Sequence, residues 1–224
     1  MNTIVFQAHA LALHICSKVL QEAPDESFLA EVREQRLFAT WPLTPASEEA
    51  AAALTELDRE YGSKAGDTAS LRLDHLALFS GPAPAARPWE SVWREKDNLL
   101  FGEQTMLVRE RYAEWGLVVE NFGHEPEDHI AFELAFCVHL LHRMAVGENS
   151  AVKALAAFPD GHLLEWVEPC LRKASVSASE EFYRHMPLLC LDAVKSLRGA
   201  LSDKKRVKTV VPCSTKKKSE CSTC

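Results

Sequence analysis

The reading that decides the fold begins at Met1–Leu20, MNTIVFQAHALALHICSKVL. Ile4, Ala8, Leu11, Ile15 and Val19 recur in steps of four, three, four and four. That spacing puts them on one face of a helix and predicts an amphipathic helix laid against a core.

The same period carries through the rest of the chain. Asp25 is placed to cap a second helix running to about Phe38, TWPLTP then breaks the chain, and Pro45 opens a third helix bearing Leu54, Leu57 and Tyr61. A fourth helix is predicted over Thr68–Phe79, ending at Ser80-Gly81-Pro82 because proline cannot supply the next helical N–H. Met106, Val108, Arg109, Tyr112 and Trp115 mark a fifth, closed by Gly116 as a left-handed C-cap. Pro126 reads as the first residue of the next, with Glu127 and Asp128 in its first turn and Ile130, Leu134, Cys137 and Leu141 as its apolar stripe. Two or three more helices fill Ser150–Leu201, bent or interrupted at Pro159, Pro169 and Pro187. With no alternating strand pattern and no internal repeat, the prediction is an all-α, single-domain multi-helix bundle without a sheet.

A chain of 224 residues, 47% of them hydrophobic, can bury a substantial core in one domain. The net charge of −7 is uneven: residues 203–224 carry +5, which leaves −12 on residues 1–202. We therefore expect a helical domain over 1–202 that attracts cations, followed by a basic, Cys-containing tail over 203–224. No apolar run approaches the length of a membrane span, and the first residues lack the charged start of a secretory signal. Seven cysteines, widely spaced, fit free thiols in a reducing cytoplasmic setting.

The chemistry-bearing residues favour binding over catalysis. Pro82, Pro84 and Pro88 fix φ in a loop that presents Trp89 preorganised, and preorganised aromatics suit recognition. Downstream, Glu125, Glu127, Asp128 and His129 form an acidic group that reads either as helix capping or as an acceptor for arginines. A metal site has little support, since neither His-Glu-x-x-His nor Glu-x-x-His occurs, and His139 with His142 is only an i,i+3 pair. The tail's lone Cys-x-x-Cys supplies two of four ligands. Neither a nucleophile elbow nor a phosphate-binding glycine loop is present, so no catalytic residue and no cofactor are assigned.

Leu78-Phe79, Gly81-Pro82, Pro88-Trp89, Ser91-Val92, Leu100-Phe101-Gly102, Thr105, Val108-Arg109, Tyr112, Gly116-Leu117 and Glu125-Pro126 with Asp128-His129-Ile130 together resemble the TorD/DmsD family of molybdoenzyme-maturation chaperones, most closely the DmsD branch. His75 and Trp93 stand where that pattern has tyrosine, and Ala131 where it has glycine.

The resemblance implies a TorD-like helical fold and a cytoplasmic, non-enzymatic chaperone. It would bind the twin-arginine signal peptide of a DMSO-reductase-like molybdopterin enzyme, hold it for cofactor insertion and delay export, with twin-arginine translocase components as further partners. The implied peptide-binding residues are His75, Leu78, Phe79, Pro88, Trp89, Ser91, Trp93, Glu125, Glu127, Asp128 and His129. Alternatives are a GTP-responsive chaperone, a nitrate-reductase-type assembly factor, and a helical metal-dependent hydrolase. No nucleic-acid partner and no stable membrane insertion are expected.

Overall fold

The computed structural model describes residues 3–63, 66–119 and 125–207, with side chains described to Ser202. Among them lie ten α-helices: α1 Thr3–Gln21, α2 Glu26–Glu34, α3 Glu48–Tyr61, α4 Thr68–His75, α5 Glu90–Arg94, α6 Glu103–Ala113, α7 Ile130–Ala145, α8 Asn149–Gly161, α9 Leu163–Ser177 and α10 Glu181–Val207. No sheet occurs among the described residues, as the all-α prediction requires; the one β feature is an isolated bridge between Trp89 and His129. The predicted tail falls outside the described residues apart from the end of α10.

α1 is the central helix, packed against α7 on one side and α10 on the other. Both neighbours run antiparallel to it. The Ser17 hydroxyl donates to the Ala131 carbonyl (2.8 Å) at the start of α7, while His9 meets Ser196 (3.1 Å) and Tyr183 donates to Val19 (3.3 Å) along α10. With helices on two sides, the buried surface of α1 is broader than one stripe: Phe6, Ala10, Leu13, Cys16 and Leu20 are buried together with Ile15 and Val19. Ile4 and Leu11, read from the sequence as core-facing, are instead exposed, because that stripe is centred on the rim of the α1–α7 contact.

Helix ends follow local chemistry. Asp25 caps α2 through the Phe28 N–H (2.7 Å), but α2 stops at Glu34, ahead of Phe38, in turns that include the left-handed Arg36. Ser47, rather than Pro45, sets the start of α3 by accepting the Ala50 N–H. α4 does not run to Phe79 as regular α-helix; it widens into a π-helical turn over Leu76–Ser80, closed by the Gly81 N–H on the Leu76 carbonyl (2.7 Å). Pro159, Pro169 and Pro187 all sit inside helices that continue through them. Buried Asp74 anchors α4 to the head of α10, accepting the N–H groups of Ser179 (3.0 Å) and Glu180 (2.9 Å).

Candidate functional site

The segment after the π-turn folds back on itself, with Ala85 and Ala86 donating to Ala77 (3.0 Å) and Leu78 (2.9 Å). It then reaches the lead-in to α7, where the Ile130 N–H donates to Pro88 (2.8 Å) and the Glu90 N–H to Asp128 (3.0 Å). These two bonds form the Trp89–His129 bridge, and the two rings meet edge-on with centroids 5.9 Å apart. The proline loop and the acidic group are thus brought together.

What they build is a joint whose polar groups serve the fold. Asp128 is fully buried; its Oδ2 accepts the Ser91 N–H at the start of α5 (2.7 Å) and its Oδ1 the Thr105 hydroxyl on α6 (2.9 Å). Burial pushes its pKa up against those bonds. Glu127 is buried and paired in fork geometry with Arg109 (2.8 and 3.0 Å), and its carbonyl accepts the Tyr112 hydroxyl. Buried His129 caps α7 by accepting the Ala131 N–H on Nδ1 (3.1 Å), and burial drives its pKa down to about 3, so the ring is neutral near pH 7.

Three sequence expectations change accordingly. α7 starts at Ile130, not Pro126, because residues 127–129 are drawn into the joint with Pro88–Glu90. Glu127 and Asp128 are therefore not first-turn residues facing the helix dipole. Nor do they offer open carboxylates to an incoming arginine, since both are buried and engaged. Glu125 alone of the group is half-buried, its pKa raised by burial.

The aromatic candidates divide similarly. Leu78, Phe79, Pro88 and Ser91 are buried, and the His75 ring packs between Phe79 (5.3 Å) and Tyr183 (5.7 Å) while Nε2 donates to the Leu20 carbonyl. Burial lowers the His75 pKa. Trp93 is half-buried and donates to the Arg87 carbonyl (2.7 Å). Trp89 is half-buried as well, but its Nε1 is enclosed without an acceptor.

The open surfaces lie beside the joint, at the C-terminal end of α1. A concavity of about 780 Å³ runs between the α1–α2 corner (Gln21 to Ser27) and α4, floored by His75 and Leu76. Its rim carries three exposed carboxylates, Glu22, Asp25 and Glu26, against one guanidinium, Arg72. Sharing Gln21 with it is an apolar slot of about 330 Å³ lined by Leu117, Val118, Val119, Phe132 and Phe136, with His139 at its edge. Trp115 stands edge-on to His139 at 6.0 Å.

Sequence reading missed these residues. Asp25 reads from the sequence as a helix cap, and its place on one rim with Glu22, Glu26 and Arg72 emerges only where α4 stands beside the α1–α2 corner. Among the described residues, no group of three or more His, Cys, Asp or Glu side chains is arranged to hold a metal ion. No described helix is long and apolar enough to cross a membrane.

The family described as nitrate reductase delta subunit matches residues 43–172, more than half of the chain. The chain belongs to that family, the family of TorD. TorD-family relatives include "Chaperone protein TorD" of Shewanella sp. (strain ANA-3), 28% identical over 144 residues, covering 62% of this chain and 69% of the relative. "Tat proofreading chaperone DmsD" of Salmonella paratyphi A is 30% identical over 147 residues, covering 65% of each chain, so about a third of that relative has no aligned counterpart. "Chaperone protein TorD" of Vibrio cholerae reaches 36% identity over 107 residues, 43% of this chain and 46% of its own. These TorD-family relatives are chaperones by name, and the chain stands with chaperones rather than with enzymes.

Proposed function

We propose that this TorD-family chain is a redox-enzyme maturation chaperone that binds the twin-arginine signal peptide of a molybdopterin-containing reductase, with the paired arginines at the α1–α2 corner and the apolar stretch in the slot beside it. The observation that carries this reading is the junction at Gln21 of an anionic concavity with an apolar one. A signal peptide of that class presents the matching pair of chemistries on one extended strand. The joint of Trp89 and His129 serves as the wall beside both, which is a positioning role for the acidic group.

Magnitudes divide the work. Burying about 500 Å² of apolar peptide and slot at about 25 cal/mol/Å² is worth about 12 kcal/mol gross, most of it offset by association entropy and peptide ordering. An exposed arginine–carboxylate contact adds about 1 kcal/mol or less. The slot therefore sets affinity, and Glu22, Asp25 and Glu26 set selectivity and association rate.

The test is calorimetry of a synthetic twin-arginine signal peptide against wild type and Glu22→Gln/Glu26→Gln. We expect weaker binding with a shallower salt dependence and an unchanged melting temperature. Equal affinity and equal salt slope in the two proteins would overturn the assignment of the corner. Absence of binding by the wild type would overturn the function itself.

A further inference from the structure

Beneath the Trp89–His129 joint lies a buried polar cluster that peptide binding does not use. Glu133, on the first turn of α7, is fully buried, and neither of its carboxyl oxygens has a hydrogen-bond partner. The indole N–H of fully buried Trp166 on α9 lies close to it and is likewise unpaired. Around Glu133 stand groups from each neighbouring helix. From α5 come Glu90 and Arg94, which are ion-paired to each other, Glu90 also being held by His162 Nδ1 (2.9 Å) at the head of α9. The lead-in to α7 brings Asp128, α6 brings Tyr112, α7 itself Cys137 and α9 Cys170. α1 approaches the same end of α7 through Ser17, which donates to the Ala131 carbonyl.

The charge arithmetic of this cluster is unfavourable for an ionised Glu133. Glu90 and Asp128 each have hydrogen-bonding partners, and the one guanidinium, Arg94, is already held by Glu90 and by the Gly161 carbonyl (2.8 Å). A third carboxylate, with only the Trp166 indole N–H near it, would be desolvated and repelled by the other two. Protonated, Glu133 is a neutral group of compatible size. Separation of the Pro88–Arg94 segment from the lead-in to α7 would let the ionised group reach water.

We propose that Glu133 is a proton-operated latch on the α5 joint: with its proton the Pro88–Arg94 segment closes onto α7, and on losing it the segment is released, uncovering the enclosed Trp89 indole N–H. This inference does not depend on the peptide-binding reading. Burial and the two neighbouring carboxylates hold the Glu133 pKa well above the ordinary glutamate range, in keeping with a neutral closed form. The closed state is favoured below the raised value, and opening grows with pH from the free-glutamate value up to it. One proton released on opening means up to about a tenfold rise in the opening constant per pH unit.

Hydrogen exchange of the Glu90, Ser91 and Ile130 amides, whose bonds make the joint, reads that constant directly. After correction for intrinsic exchange, their protection in the wild-type chain should fall by up to about tenfold per pH unit as pH rises from the free-glutamate range toward the raised value. In Glu133→Gln, which mimics the protonated acid, it should stay level. Parallel slopes in the two proteins would overturn the latch, and so would an equal fall at core amides such as Leu13, which would make the event global unfolding. Should the variant not fold, the side-chain carboxyl carbon of Glu133 in the wild-type chain decides by NMR: titration above pH 6 supports the proposal, and titration near the free-glutamate value overturns it.

Discussion

Asp128 holds the first turn of α5: its Oδ2 accepts the Ser91 N–H at 2.7 Å across 37 positions of sequence, while Oδ1 takes the Thr105 hydroxyl. One carboxylate therefore orients α5 and α6 from the lead-in to α7. Replacing it by alanine strands two buried donors, each at a cost of about 1–3 kcal/mol. Asp128→Ala should lose about 3 kcal/mol in urea unfolding, with the salt dependence of peptide binding by the folded fraction unchanged. A stable variant with a flattened salt slope would return Asp128 to direct contact with arginine.

His129 gives a pH signature of the opposite sign to that of Glu133. Its folded pKa lies near 3 against a free value of 6.5. The stability it contributes is thus complete above about pH 6.5 and is lost as pH falls through that value, by up to about 1.4 kcal/mol per unit. Denaturant titrations at pH 7, 6 and 5 should show a steeper acid loss for the wild type than for His129→Asn, in which asparagine keeps a capping oxygen. Matching slopes would mean that the ring is not titrating on unfolding.

The apolar slot is tested at Val118, which is 76% exposed and so carries little of the fold. Val118→Asp should change stability by no more than about 0.5 kcal/mol. Placed against the apolar stretch of a signal peptide, it should weaken binding by at least about tenfold, since a buried unpaired charge costs more than 1.4 kcal/mol. Calorimetry and a melting curve on the same sample separate the two effects.

Gly102 is needed for space. An added Cβ would land on the carboxylate of Glu95, whose Oε1 accepts the Gln104 N–H (2.9 Å) at the start of α6. Gly102→Ala should cost about 1–3 kcal/mol by displacing that acceptor. The loss should disappear in a Glu95→Ala background, which a double-mutant cycle can measure.

Sequence was a good guide to part of the α7 core: the stripe Ile130, Leu134, Cys137, Leu141 is buried throughout, although α7 packs on both α1 and α8 and buries Phe136, Leu140 and Met144 besides. It guided less well on α1, whose two packing partners widen the buried arc, and it misplaced the start of α7, because the hydrogen bonds of residues 128–130 go to residues 88–91. Acidic residues close together in sequence looked like a surface, yet non-local packing buries them. Glu22 and Arg72 line one concavity for the converse reason, since nothing local in the chain signals their proximity.

The paired backbone bonds at Pro88–Ile130 and Glu90–Asp128 also turn the chain between them into a noose with its neck tied from within. A protease that cuts inside that noose would therefore leave two fragments still clasped, migrating as one species until denaturant is added. A cut in the proline-rich stretch just upstream would fall outside the knot.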